Sequence, residues 1–249
     1  MELSVEIRQT EISLSATDNI TPPTSMSLIK SVIVPGYPIS VHSYDNKIYL
    51  GCHSGDLLRY ELDLSGREVL LAVNFYVTSI QAFNNELYVW FAQEDLINVY
   101  DMTGKLKRAW KHSCLGKYYN KLRVVSNKVV VSSAQDQALT VYDLQGQLLK
   151  QIKCPDISKS DSYRAAAVCG NDSVIVTDYG TNSVFRVNID SGEVMWTSKH
   201  VQRPQGVVCY KNRYVLVTDY NTDTRIWILD ADTGRLVKMI LMSLVTSKN

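Results

Sequence analysis

Five stretches of this 249-residue chain repeat one pattern in the same phase. They are NKIYLGCHSGDLLRYELDLSG, NELYVWFAQEDLINVYDMTG, NKVVVSSAQDQALTVYDLQG, NDSVIVTDYGTNSVFRVNIDSG and NRYVLVTDYNTDTRIWILDADTG. Their lead residues, Asn46, Asn85, Asn127, Asn171 and Asn212, stand 39, 42, 44 and 41 positions apart. Each stretch closes on a glycine: Gly66, Gly104, Gly146, Gly192 and Gly234. A period near 40 limits the fold to stacked repeats, because one such unit cannot bury its own apolar faces.

The runs inside each unit are rich in Val, Ile, Leu and Tyr and are bounded by turn residues, as strands are. An inner run precedes each lead Asn: ISVHSY, TSIQAF, KLRVVS, AAAVC and GVVCY. Asn tolerates the left-handed backbone region, so it marks a tight turn into a second run such as IYLGC. A variable polar loop, a third run and an Asp–Gly turn follow. A fourth run closes the unit: EVLLAV, LKRAW, QLLKQI, EVMWT and RLVKMI. Four strands per unit at this period predict an all-β protein, a β-propeller of five complete four-stranded blades.

Residues 27–240 form the expected propeller, 1–26 an N-terminal segment and linker, and 241–249 a C-terminal tail. Residues 27–34, SLIKSVIV, read as the fourth strand of a partial sixth blade. The alternating stretch SVEIRQTEISLS is a candidate closing strand, pairing with the C-terminal blade.

A net charge of +1 provides no global attraction to DNA or to a membrane surface. No apolar run is long enough for a transmembrane helix. The N-terminus carries acids where a signal peptide needs a basic and then an apolar stretch, so a cytoplasmic location is expected. The five cysteines, Cys52, Cys114, Cys154, Cys169 and Cys209, form no C-x-x-C pair and are odd in number, which reads as reduced thiols.

The last two units carry VTDYGTNSVFRVNIDSGEV and RPQGVVCYKNRYVLVTDYNTDTRIWILDADTGRLV. Pro204-Gln205-Gly206-Val207-Val208, a run ending at Asp219, and then Arg225-Ile226 resemble the NHL repeat, which builds six-bladed propellers at the C-terminus of tripartite-motif proteins. The loops after Asp178 and Asp219 are longer than the family pattern, and the early units have Cys52, Phe91 and Ser133 near the Asp position. The RING, B-box and coiled-coil modules of that family are absent from this sequence. The resemblance implies a protein-binding module, with substrate recognition in a ubiquitin-ligase context as the role of such propellers.

In a propeller, the loop entering the inner strand and the loop joining the second and third strands share one face. Aligning the repeats on their lead Asn puts Tyr37, Tyr76, Tyr118, Tyr119, Tyr163, Arg164 and Arg203 at the mouth of the first loop set. The second set contributes Tyr179, Tyr220 and Arg225, with His53 and Asn182 nearby. Tyr and Arg dominate interface hot spots, so these residues are the expected partner-binding set. The same tyrosines also suit packing between neighbouring blades.

Two alternatives follow from other residues. Lys117, Lys121 and Arg123 beside Tyr118 and Tyr119 could hold phosphates and stack bases of single-stranded RNA. A metal-dependent propeller hydrolase or lyase needs ligands on the inner strands. The aligned inner positions are His42, Gln81, Arg123, Ala167 and Val208, a poor metal cage that includes a cation. No nucleophile elbow or Gly-rich phosphate loop occurs, so no catalytic residue, metal or cofactor is expected. Asp178 and Asp219 read as caps of the turns they precede.

Overall fold

The computed structural model describes residues 4–7, 21–23, 30–34, 36–92, 94, 96–112, 121–132, 138–154, 164–220 and 225–241. Strands β1 (Ser4–Ile7) and β2 (Lys30–Ile33) form a separate two-stranded sheet. Five four-stranded antiparallel blades follow, and no helix occurs among the described residues. Blade 1 holds β3 (Pro38–Tyr44), β4 (Lys47–Cys52), β5 (Asp56–Glu61) and β6 (Glu68–Ala72). Blade 2 holds β7 (Val77–Phe83), β8 (Glu86–Phe91), β9 (Leu96–Asp101) and β10 (Leu106–Lys111). Blade 3 holds β11 (Lys121–Val125), β12 (Lys128–Ser132), β13 (Ala138–Asp143) and β14 (Leu148–Lys153). Blade 4 holds β15 (Arg164–Cys169), β16 (Ser173–Asp178), β17 (Ser183–Asn188) and β18 (Val194–Ser198). Blade 5 holds β19 (Pro204–Tyr210), β20 (Tyr214–Asp219), β21 (Arg225–Asp230) and β22 (Leu236–Leu241). In every blade the strands pair in chain order.

The turn chemistry accounts for the repeat's punctuation. In blades 1 to 3 the first hairpin has a two-residue loop, as in Phe83↔Glu86 pairing. Both loop residues have positive φ: Asp45 and Asn46, Asn84 and Asn85, Ser126 and Asn127. That geometry matches the strand twist, which explains the lead Asn. The second turn is held by an acid or amide side chain. Asp101 Oδ1 accepts hydrogen bonds from the Thr103 and Lys105 amides at 2.9 and 3.0 Å, and Asn188 Oδ1 does the same for Asp190 and Ser191.

The closing glycines do more than turn the chain. A Cβ on Gly146 (φ 89°) would lie 2.5 Å from the Trp110 ring, and one on Gly234 (φ 68°) would lie 2.5 Å from the Trp196 ring. Each turn thus sits flat on the fourth strand of the preceding blade. Only a residue without a side chain fits there.

Between blades, alternate side chains interlock. Tyr88, Trp90, Ile97 and Val99 of blade 2 pack with Leu122, Val124, Val129 and Val131 of blade 3. Burying one such aliphatic side chain stabilises the fold by roughly 1.5–3 kcal/mol. Polar ties add register. Gln81 donates to the Val124 carbonyl at 2.9 Å and accepts from the Val124 amide at 3.0 Å, extending strand-like pairing across the blade boundary. Ser79 Oγ accepts from the Leu122 amide at 3.1 Å in the same way.

The inner strands stack in sequence, β3 on β7, β7 on β11, β11 on β15 and β15 on β19. The middle inner strands are buried, whereas β3 and β19 are not: Val41 is 53% exposed and Val208 54%. The N-terminal strand behaves differently from expectation. Ser4 pairs with Ile33 and Ile7 with Lys30, so β1 joins β2 and not the C-terminal blade. Val32 and Val34 then cover Ile48, Leu50, Leu58 and Tyr60 of blade 1. Apolar residues near Val34 anchor that segment, which the alternation of SVEIRQTEISLS alone did not indicate.

The reading of five reduced thiols is corrected. Cys169 and Cys209 are joined by a disulfide between the inner strands of blades 4 and 5, with Cα atoms 5.4 Å apart. Spacing along the chain hid the pair, because the two residues lie 40 positions apart and meet only when the blades stack. Cys52 and Cys154 are buried.

Candidate interaction face

One backbone bond recurs at the mouth of three blades. The amide after the second strand donates to the carbonyl of the residue ahead of the first strand. The bonds are His53 to Tyr37 at 2.7 Å, Ala92 to Tyr76 at 2.7 Å and Tyr220 to Arg203 at 3.1 Å. It brings the two loop sets together on one face, and fixes Tyr37, Tyr76 and Arg203 at equivalent positions.

Two side-chain clusters result, each across a blade boundary. Between blades 1 and 2, His53 stacks on Tyr76 with centroids 3.6 Å apart, and Tyr37 meets the His53 ring edge-on at 6.3 Å. Between blades 4 and 5, Tyr179 meets Tyr220 edge to face at 5.9 Å. The Arg203 guanidinium lies over the Tyr179 ring at 5.9 Å, an attractive cation–π geometry. Asn182 of blade 4 accepts a hydrogen bond from the Arg203 amide at 2.8 Å. Tyr220 is 60% exposed and Tyr37 46%. Arg203 and His53 are exposed, Tyr76, Tyr179 and Arg225 half-buried. His53 belongs to the site more firmly than its sequence position suggested, since it bridges the two tyrosines.

One residue of the expected partner-binding set, Arg164, and one of the RNA-binding alternative, Lys121, are buried. Arg164 is fully buried, and its Nε donates to Asp178 Oδ2 at 3.2 Å. A guanidinium so placed ties β15 to β16 and cannot meet a partner. Lys121 is also buried, with Nζ donating to the Thr78 carbonyl at 2.6 Å. Burial, with Arg123 nearby adding to it, lowers its pKa to about 7. Lys121 therefore serves the tie between blades 2 and 3, and its buried ammonium does not face a phosphate in solvent. Arg123 is half-buried on the inner strand β11. Tyr118, Tyr119, Tyr163 and Lys117 lie outside the described residues.

Asp178 and Asp219 take structural roles. Asp178 Oδ1 accepts from the Thr181 amide at 3.1 Å, and Asp219 Oδ2 from Trp227 Nε1 at 2.9 Å. On the inner strand β3, burial and the Arg123 charge hold His42 down to a pKa of about 4, so its imidazole is neutral at pH 7. Among the described residues, no group of three His, Cys, Asp or Glu side chains is placed to hold a metal. Among the described residues, the face presents these aromatic rings and the exposed Arg203 guanidinium.

No curated protein matches the sequence. Among solved structures, a chain of the nidogen/laminin complex superposes with a TM-score of 0.69 at 13% identity, covering 89% of this chain and 88% of that one. Virginiamycin B lyase from Staphylococcus aureus gives 0.66 at 12% identity, covering 85% and 72%. A chain of the mitotic checkpoint complex gives 0.66 at 14%, covering 92% and 75%. At these identities the likeness shows a shared propeller fold. A family profile described as outer membrane protein assembly factor BamB matches residues 106–239, more than half of the sequence. With its repeats, its five blades and that match, the chain belongs to the PQQ-type β-propeller family of the outer membrane protein assembly factor BamB.

Proposed function

We propose that this propeller is a protein-interaction module that docks its partner on the loop face. The observation that carries the reading is the pair of aromatic clusters, Tyr37–His53–Tyr76 and Arg203–Tyr179–Tyr220, each assembled from two blades. Rigid strands hold the loops, while Tyr and Arg side chains remain accessible. Such residues supply most of the binding energy in protein interfaces. Propellers of like fold occur in two multiprotein assemblies, the nidogen/laminin and mitotic checkpoint complexes.

The NHL-like features of the last two blades extend this reading to a cytoplasmic, tripartite-motif-like setting, with the propeller as substrate receptor of a ubiquitin ligase. Cross-linking with mass spectrometry in cells tests it. A specific partner should be captured by the wild type and lost, by about 30-fold or more, in the Arg203→Ala/Tyr220→Ala variant. Equal capture by both proteins would sink the proposal. RNA retained by the wild type in a salt-sensitive manner, with no protein partner, would replace it with nucleic-acid binding.

A further inference from the structure

The disulfide occupies a repeating position. Each blade boundary brings the residue two before a lead Asn against the residue three before the next lead Asn. At the first boundary Tyr44 and Ala82 share one apolar cluster, at the second Phe83 and Val124, at the third Val125 and Val168. At the fourth, the same two places hold Cys169 and Cys209. An apolar contact sufficient elsewhere is here replaced by a covalent bond. Blade 5 differs from the interior blades in one relevant respect: its inner strand β19 is half-exposed, with Val208 54% exposed, so one side of it has less packing to hold it.

Cys209 lies on β19, which Arg203 directly precedes, and Cys169 on β15, which pairs with β16, the strand that Tyr179 directly follows. Chain segments meeting at the other end of the same boundary bear Tyr179, Tyr220 and Arg203. Polar contacts also tie the boundary, and on the outer strands Arg186 Nη1 donates to the Ala231 carbonyl at 2.9 Å and to Asp232 at 3.2 Å, and Trp196 Nε1 to the Ala231 carbonyl at 2.8 Å. Asn182 accepts from the Arg203 amide at 2.8 Å, Thr177 Oγ1 donates to the Gln205 carbonyl at 3.1 Å, and Gly170 donates its amide to Asn212 Oδ1 at 2.9 Å.

We propose that Cys169 and Cys209 form a reversible redox latch that fixes blade 5 to blade 4 and thereby sets the geometry of the Tyr179–Tyr220–Arg203 cluster. As a statement about binding, it rests on the interaction-face reading above. Formation is a thiol–disulfide exchange with a small disulfide such as glutathione disulfide. The half-buried Cys209 thiolate attacks one sulfur of the oxidant and releases one glutathione thiolate. The Cys169 thiolate then displaces the second glutathione. The two cysteines lose two protons and two electrons, and glutathione disulfide is reduced to two glutathione thiols. A reducing pool reverses both steps. Closing a 40-residue separation restricts the unfolded chain, so the latched form is the more stable.

The test compares the full chain in glutathione disulfide with the same protein in dithiothreitol, and needs no variant to fold. Expected are a Cys169–Cys209 cross-linked peptide on non-reducing mass spectrometry and a melting temperature about 5–10 °C higher when oxidised. Amide hydrogen exchange at Arg203 and Tyr220, the two amides that knit the cluster, should be at least about tenfold slower in the oxidised form. Cys209→Ser should abolish the cross-link and the difference between the two conditions. Failure to form the cross-link, or identical melting and exchange in both redox states, overturns the latch. Neither result depends on a partner, so retention of binding by Arg203→Ala/Tyr220→Ala would instead overturn the interaction face and leave the latch standing.

Discussion

Arg164 and Asp178 form an ion pair 3.2 Å long with both side chains at 0% exposure, at the loop-face end of blade 4. They are register partners on β15 and β16. The pair sits directly beneath the cluster that presents Tyr179, and Asp178 also receives the Thr181 amide. Breaking a buried ion pair by removing one member costs more than replacing both members, because the remaining charge keeps its desolvation cost.

Asp178→Ala should therefore destabilise the protein by about 3–5 kcal/mol, whereas replacing both residues together with apolar side chains of similar volume should cost far less. Chemical denaturation of the single and double variants checks this. Equal losses in both would show that the charge balance is not what matters.

Gly146→Ala is expected to destabilise by about 1–3 kcal/mol or more. The new methyl would need a strained positive φ and would meet the Trp110 ring at 2.5 Å. Trp110 fluorescence reports the displacement directly, so a variant with unchanged emission and midpoint would contradict the contact.

Glu86 sets an acid limb. Its carboxylate accepts from Arg108 at 2.6 and 2.9 Å and also from Lys107 and Tyr88. The Arg108 bonds above all hold its pKa down to about 2, against 4.5 ordinarily. A depressed carboxylate stabilises the fold above its unfolded pKa. That stability is lost as pH falls from about 4.5 towards 2. In Glu86→Gln, melting midpoints should be lower at pH 6 and fall less steeply over that range.

Lys121 acts at the other end of the scale, with a pKa lowered from 10.5 to about 7. Between these values the unfolded chain binds more protons than the native one, so this group makes stability rise with pH from about 7 towards 10.5. Lys121→Met should flatten that rise. An unchanged slope in the variant would assign it to other groups.

Tyr220→Ala should leave stability within about 0.5 kcal/mol, because the ring is 60% exposed. Tyr179→Ala should cost more, as that ring is half-buried between Tyr220 and the Arg203 guanidinium. Both should weaken partner capture. Thermal melts run beside the cross-linking assay separate a binding defect from a folding one. A collapse of Tyr220→Ala would mean that the ring packs the blades instead.

The blades were legible in the sequence because their determinants are local. Asn85 and Asn127 mark turns that need positive φ, Gly146 and Gly234 mark turns pressed on a tryptophan, and the apolar runs between them have strand period. Phase along the repeat also placed Tyr37, Tyr76 and Arg203 at equivalent positions, since the same backbone bond holds each. What lay beyond reach was whatever depends on how one blade meets the next. Whether a cation faces solvent or is absorbed is decided by a partner about 14 or 43 positions away, as for Arg164 with Asp178 and Lys121 with the Thr78 carbonyl. The same holds for Cys169 and Cys209 and for β1, which chose β2 over the last blade. Local dihedral preference and side-chain periodicity are written in consecutive residues. Burial, charge pairing and disulfide geometry exist only once distant strands are brought within a few ångströms of each other.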